Sequence, residues 1–365
     1  MQRRVAVCSG IFLLMALSNA VVPVLDIFAE GPAAQGLVFS AYFFGAMLTV
    51  LPAGIASERL GRARLMQAGL GISLGAGLAI ALAPSVPVLI IARLVEGVAT
   101  GVFVSAALAY VNSQPDGGRG SGAFMASLNA GLFLGLIATG VLVEQTGLRA
   151  AGVIAFSCLT AIPFILAFTL KNGPSTVQTA PLARLGPVLS QYRWLLYATV
   201  IMFGAGGAVT GLYPEFSTVD PGLLGLQIAL QNIATIVAVV VVSRLALEPI
   251  PLIQGSAGLM ALAVGVSFLS PYGFALIGAA AGAVQIAALV FLAQTQEPQG
   301  VAVGLFNTAS YAGMTVLPAL AGAGARWFGY PMAFGLVVLF AISVALTIQR
   351  CSRCRLPRSM RSSRG

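Results

Sequence analysis

The apolar and polar positions along the chain alternate on a long scale. Twelve apolar runs are divided by glycine, proline or charge, at residues 5–28, 36–57, 65–83, 87–112, 122–142, 150–170, 191–214, 223–243, 251–269, 273–293, 302–322 and 330–349. Each is near the roughly 20 residues that carry a helix across the hydrocarbon core. A transmembrane barrel would show segments of about ten residues with alternating polarity, whereas these runs are continuous. Only Ser270-Pro271-Tyr272 parts the ninth run from the tenth. The first follows Met1-Gln2-Arg3-Arg4 and passes Leu17-Ser18-Asn19-Ala20, flanks that a cleaved signal peptide would share. Apolar sequence continuing to Phe28 makes it a full span. The pattern predicts an all-α polytopic membrane protein with twelve transmembrane helices.

Composition agrees and narrows the chemistry. Of 365 residues, 58% are hydrophobic and 8% charged, against about 25% charged in a soluble domain. A soluble enzyme and a disordered chain are both excluded on this ground. The chain has no histidine, which removes histidine metal sites, Ser-His-Asp chemistry and histidine proton relays together. A net charge of +9 would suggest nucleic acid in a soluble protein. Threaded through twelve spans it says something else. With the N-terminus inside, 16 of the 19 basic residues fall on the cytoplasmic side, Arg149 and Arg326 fall outside, and Arg93 lies within a span. This asymmetry predicts both termini in the cytoplasm of a plasma (inner) membrane. It also assigns the bulk charge to anionic lipid, with no nucleic-acid partner.

The chain also repeats itself. A shift of 182 residues aligns Gly122 with Gly304, Phe124 with Phe306, Ala130-Gly131 with Ala312-Gly313, Gly140 with Gly322 and Gly147 with Gly329. The midpoint falls in the polar stretch Lys171–Ser190. The expected organisation is two six-helix pseudo-symmetric halves, 1–171 and 191–349, joined by a cytoplasmic linker at 172–190 and followed by a basic cytoplasmic tail at 350–365. Arg244-Leu245 preceding Gln254-Gly255 faintly echoes Arg59-Leu60 preceding Gln67-Ala68.

Three motifs carry a family resemblance. The loop after the second run reads Gly54-Ile55-Ala56-Ser57-Glu58-Arg59-Leu60-Gly61-Arg62-Ala63-Arg64. It resembles the G-x-L-A-D-R-x-G-R-K signature between helices two and three of the major facilitator superfamily, with Ala56, Glu58 and Ala63 departing from it. Arg93-Leu94-Val95-Glu96-Gly97, with Gly101, is similar to the R-x-x-Q-G motif of proton-coupled members, Glu96 standing where glutamine is usual. Gly131-x-x-x-Gly135-Leu136-x-x-Thr139-Gly140 partly matches the antiporter pattern G-x-x-x-G-P-x-x-G-G. It lacks the proline, which appears as Pro318 at the equivalent place in the eleventh run. The chain thus resembles the drug/proton antiporter-like twelve-helix branch of that superfamily.

The residues and the resemblance suggest roles. Gly54 allows close helix approach, Gly61 a permissive turn, and Arg59, Arg62 and Arg64 hold the loop at the inner leaflet. The resemblance implies that Glu58 faces the start of the eleventh helix near residue 302 when the cytoplasmic side is closed. At 1.5 Å per residue from Pro87, Glu96 lies about 14 Å and Arg93 about 9 Å deep, where charge normally meets a partner or water. Two readings stand: an i, i+3 structural salt bridge, or an arginine holding a carboxylate, Glu96 or Asp26, whose protonation couples to transport. Asp26, three residues after Pro23, also fits a solvated interfacial acid. Polar residues inside apolar helices are candidates to line a substrate path: Asn19, Ser40, Tyr42, Asn129, Gln227, Gln231, Gln285, Asn307 and Tyr311. Each serves equally well as a helix–helix hydrogen bond.

The expected function follows from these features. It is secondary active transport of a small solute by alternating access, driven by an ion gradient without a cofactor, by proton-coupled efflux. A symporter or facilitator for uptake stands beside it because the antiporter proline is missing. A non-transporting receptor would not need the 54–64 signature. No clustered acid, nucleophile or metal set supports an enzyme, and no G-x-x-x-x-G-K-[ST] motif supports direct ATP drive. Apart from the fourth-run pair the spans hold no ionisable residue near their centres, which favours a neutral, weakly polar or amphipathic solute; a monomer among membrane lipids is expected. Cys8 and Cys158 fall within spans, and Cys351-x-x-Cys354 lies in the tail without the second ligand pair zinc would need.

Overall fold

The computed structural model describes residues 2–114, 117–170, 189–245, 247–294 and 299–350; within these, the side chains of 2, 3, 58, 117–119 and 299–303 are outside the description. Most of the expected linker and the tail beyond Arg350, with Cys351 and Cys354, lie outside the described residues. Among those described, twelve long helices and no strand are found. Helix α1 (Gln2–Ala20) breaks at Pro23 into a tight turn (Val22–Val24) and resumes over Leu25–Phe28. Then come α2 (Pro32–Leu60), α3 (Arg62–Ala81), α4 (Val86–Asn112), α5 (Gly117–Thr146) and α6 (Ala151–Ala167). The remainder are α7 (Arg193–Phe216), α8 (Pro221–Arg244), α9 (Pro249–Leu269), α10 (Gly273–Ala293), α11 (Gln299–Phe328) and α12 (Tyr330–Thr347). Ten of the spans are both long and apolar enough to cross a membrane, and α6 is a shorter apolar helix of 17 residues.

Local chemistry explains the boundaries. Helices α2, α4, α8, α9 and α12 open with proline at one of their first two positions, where the missing N–H is not needed. Helices α2, α5 and α11 run several residues past their apolar stretches into polar flanks. The short turns use glycine in the left-handed region: Gly61 (φ 94°) between α2 and α3, and the repeat-related Gly147 (φ 68°) and Gly329 (φ 80°). Inside the helices, hydroxyls such as Ser157, Thr160, Thr199 and Ser310 return their hydrogen bonds to carbonyls four residues back, which satisfies them within their own helix.

Packing repeats from one half of the sequence to the other. In the first, α2 lies on α4, α1 on α5 and α6, and α3 on α4 and α6; in the second, α8 lies on α10, α7 on α11 and α12, and α9 on α10 and α12. The repeated glycines sit at corresponding contacts. A Cβ at Gly131 would strike the Phe12 carbonyl of α1, and one at Gly313 the Val200 carbonyl of α7. The faint glutamine echo also has a structural meaning. Gln67 of α3 donates to the Ala167 carbonyl at the end of α6 (3.0 Å), and Gln254 of α9 to the Ala345 carbonyl near the end of α12 (3.2 Å). Both reach carbonyls in the last turn of the partner helix, where the helical ladder runs out of donors.

The halves meet along two seams, α2 with α11 and α5 with α8. Gly140 and Gly322 seat the first turn of the facing helix, since a Cβ on them would meet the Pro221 and Pro32 carbonyls respectively. At this end Gln35 donates to Glu215 (2.5 Å) and the Gly222 N–H donates to Glu144 (3.0 Å). At the opposite end, which carries the 54–64 turn, a Cβ at Gly304 would find nothing nearer than a Leu51 methyl at 3.8 Å, and one at Gly122 nothing within 4 Å. The bundle is therefore sealed at one end, and the repeated glycines at the other are unengaged.

Candidate functional site

Three glycines bring α2 and α4 into backbone contact. A Cβ at Gly97 would strike the Tyr42 carbonyl, one at Gly45 the Leu94 carbonyl, and one at Gly101 the Thr49 hydroxyl. That approach buries what α4 carries beside Gly97. Arg93 is 2% exposed and Glu96 0% exposed. Arg93 Nη1 donates to Glu96 Oε2 at 2.6 Å and to the Ser18 carbonyl of α1 at 3.1 Å. The guanidinium carbon sits 4.6 Å from the centroid of the Tyr42 ring. Two buried charges so far from water are tolerable only with close pairing and further polar partners. The Ser18 carbonyl and the aromatic face supply those for the arginine. Glu96 Oε1 and Arg93 Nε are buried without a hydrogen-bond partner, as is the Thr100 hydroxyl one turn along α4. The carboxylate therefore has an unused acceptor able to take a proton or a polar hydrogen.

An aromatic series leads from this pair to the other half. Tyr42 meets Phe43 edge-on at 5.0 Å, and Phe43 lies 6.2 Å from Tyr311 of α11. Phe39, one turn earlier on α2, packs on Phe43 at 5.1 Å and fills the space above Gly207 and Gly211 of α7.

The other sequence candidates are distributed around this centre. The carboxylate that Arg93 holds is Glu96. Asp26 sits beyond the Pro23 break, on the turn packed against α7, with one carboxylate oxygen buried and unpartnered. Asn19 spends its amide on the Leu132 carbonyl (2.9 Å), tying α1 to α5, and Asn129 returns its own to Met125 (2.8 Å). Gln231 accepts from Thr210 of α7 at 3.1 Å, whereas the half-buried Gln227, one turn away, keeps a buried oxygen unpartnered. Ser40 is buried with its hydroxyl unpartnered, and Gln285, Asn307 and Tyr311 are half-buried. In the 54–64 motif, Gly54 faces Ser105 of α4, Gly61 makes the turn, Arg62 opens α3, and Arg59 and Arg64 are exposed. The Glu58 side chain and those of 301–303, its expected counterpart, lie outside the described residues.

Sequence reading missed the clasp at the sealed end. Its signal was present: Glu144 closes α5 and Asp220-Pro221-Gly222 opens α8, a carboxylate and a helix start that attract each other. Gln35 offered no such signal, because nothing in its own helix pairs it with Glu215.

Comparison with known proteins agrees with this architecture. No curated protein matches the chain at the sequence level. Among solved structures, a point variant of the nucleoside transporter NupG superposes with a TM-score of 0.76 at 14% identity, covering 96% of this chain and 99% of the other. A D-xylose-proton symporter gives 0.74 at 14% identity, covering 95% and 96%. A bacterial homologue of the human lysosomal transporter Spinster, in an inward-facing and unoccupied conformation, gives 0.75 at 13% identity, covering 96% of each chain. At these identities the likeness is one of fold, that of twelve-helix transporters. The family model of the Major Facilitator Superfamily matches residues 7–318, and with the helix order, paired halves and motifs described above, the chain belongs to that superfamily of membrane transporters.

Proposed function

We propose that this transporter exports a neutral, weakly polar solute in exchange for protons, with Glu96 as the proton-carrying group. The observation that carries the reading is the Arg93–Glu96 pair, buried among α1, α2 and α4 and leaving one carboxylate oxygen unpaired. Protonating Glu96 dissolves an ion pair within α4 whose arginine also binds the Ser18 carbonyl of α1, and so changes what holds α4 against α1. With the basic residues on the cytoplasmic side, the sealed end is the outer one and the described conformation opens inward. The α5 glycines of the antiporter-like motif support export: Gly135 abuts α1 and Gly140 abuts α8. Proton-coupled uptake is the second reading. It is favoured by Leu136 in place of the motif's proline and by fold likeness to a D-xylose-proton symporter.

The test is a panel of neutral solutes in proteoliposomes of defined orientation, with and without a pH gradient. Export predicts uphill movement against the proton flow, and uptake predicts movement with it. Glu96→Gln is expected to abolish uphill movement while leaving a folded protein. Undiminished uphill transport by that variant would sink the proposal.

A further inference from the structure

The proton-coupled reading of Glu96 gives the neighbouring aromatic residue a definite task, and the following rests on that reading. We propose that Tyr42 is a positioning residue: its ring face holds the Arg93 cation whenever Glu96 takes up a proton, and so sets the pH at which uptake occurs. Taking a proton from water turns the carboxylate into a neutral acid, while the guanidinium keeps its charge. Arg93 then loses its counter-ion inside a site where it is 2% exposed. Its remaining described partners are the Ser18 carbonyl at 3.1 Å and the Tyr42 ring at 4.6 Å. The negative face of an aromatic ring attracts a cation and gains strength away from water. The same face opposes a nearby carboxylate. Both effects favour the protonated state over the ion pair, relative to an alkyl side chain in the same place.

The ring cannot swing away to escape this role. Tyr42 is 3% exposed, its carbonyl rests on Gly97 next to Glu96, and Phe43 stands against its edge at 5.0 Å. Helix α4 packs on α1, α2, α3 and α5. Of the described titratable groups on these helices, Arg93 and Tyr42 face Glu96. Asp26, Tyr110, Glu144 and the arginines at 59–64 lie toward helix ends. Tyr311 approaches from α11 behind Phe43.

The experiment needs no knowledge of the solute. Purified protein in lipid nanodiscs is titrated, and the carboxylic C=O stretching band is followed by difference infrared spectroscopy, with Glu96→Gln identifying the band. Tyr42→Leu is expected to move the midpoint to lower pH by about one unit, a roughly tenfold loss of proton affinity. Tyr42→Phe, which keeps the ring, should stay within a few tenths of a unit of the parent. Tyr42→Met, a flexible filler without a π-face, should behave as leucine does and serves if the leucine variant does not fold. An unmoved midpoint in Leu and Met overturns the role of Tyr42, and so does a Phe variant that shifts with them. If no band is lost in Glu96→Gln, the proton-coupled reading itself fails and this inference with it.

Discussion

At the residue scale, the cost of burying charge decides what Arg93 and Glu96 can tolerate. A buried pair contributes little net stability, but removing one partner strands the other and costs about 3–5 kcal/mol. Arg93→Ala is therefore expected to lower thermal stability in detergent strongly, since Glu96 at 0% exposure would keep no cationic partner. Arg93→Leu combined with Glu96→Leu should recover most of that loss and remain dead for uphill transport. A double variant no more stable than Arg93→Ala would show that the pair is not energetically isolated in this way.

At the scale of the helices, the glycines and glutamines repeat as contacts and not merely as letters. Gly140 and Gly322 seat the facing helix at the sealed end, while Gly122 and Gly304 meet nothing close at the other. Gly140→Val should wedge the sealed end apart, read as increased thiol labelling of cysteines placed in the upper α5–α8 seam. Gly122→Val and Gly304→Val should leave this conformation intact and disfavour closure of their own end, shifting labelling in the opposite sense. Equal labelling for all three variants would contradict the assignment. Gln67→Leu and Gln254→Leu each remove one interhelical hydrogen bond to a last-turn carbonyl. Each should cost about 1 kcal/mol, measurable as a lowered melting temperature of similar size in both.

At the scale of the whole molecule, the clasp at the sealed end is expected to bias the balance between conformations. Glu144 accepts from the first turn of α8 and Gln35 reaches Glu215 across the α2–α7 approach. A carboxylate at a helix start contributes about 0.3–1 kcal/mol at an exposed position. Glu144→Gln should thus raise the population open at that end by about two- to fivefold, as measured by distance distributions between spin labels on α5 and α8. An unchanged distribution would remove Glu144 from the clasp.

The order and positions of the spans were legible in hydrophobicity, because lipid forces every backbone bond inside a helix and so stamps length on the sequence. The repeat was legible because Gly131 and Gly313, or Gly140 and Gly322, each answer the same backbone approach in their own half. The Arg93–Glu96 pairing followed from i, i+3 spacing. The Tyr42 ring over Arg93 and the Gln35–Glu215 bond did not, since both depend on helices that are neighbours only after folding. Asn19 could be read either as a cavity residue or as a helix–helix hydrogen bond, and only the folded neighbour, the Leu132 carbonyl, shows where its amide goes.

The paired glutamine bonds join α3 to α6 and α9 to α12 on the flanks, away from the seams. Each flank should then travel as one body when the halves rock. An antibody fragment that grips only α3 and α6 would ride along as a passive marker, useful for imaging and harmless to turnover. One that straddles α5 and α8 would act as a brake.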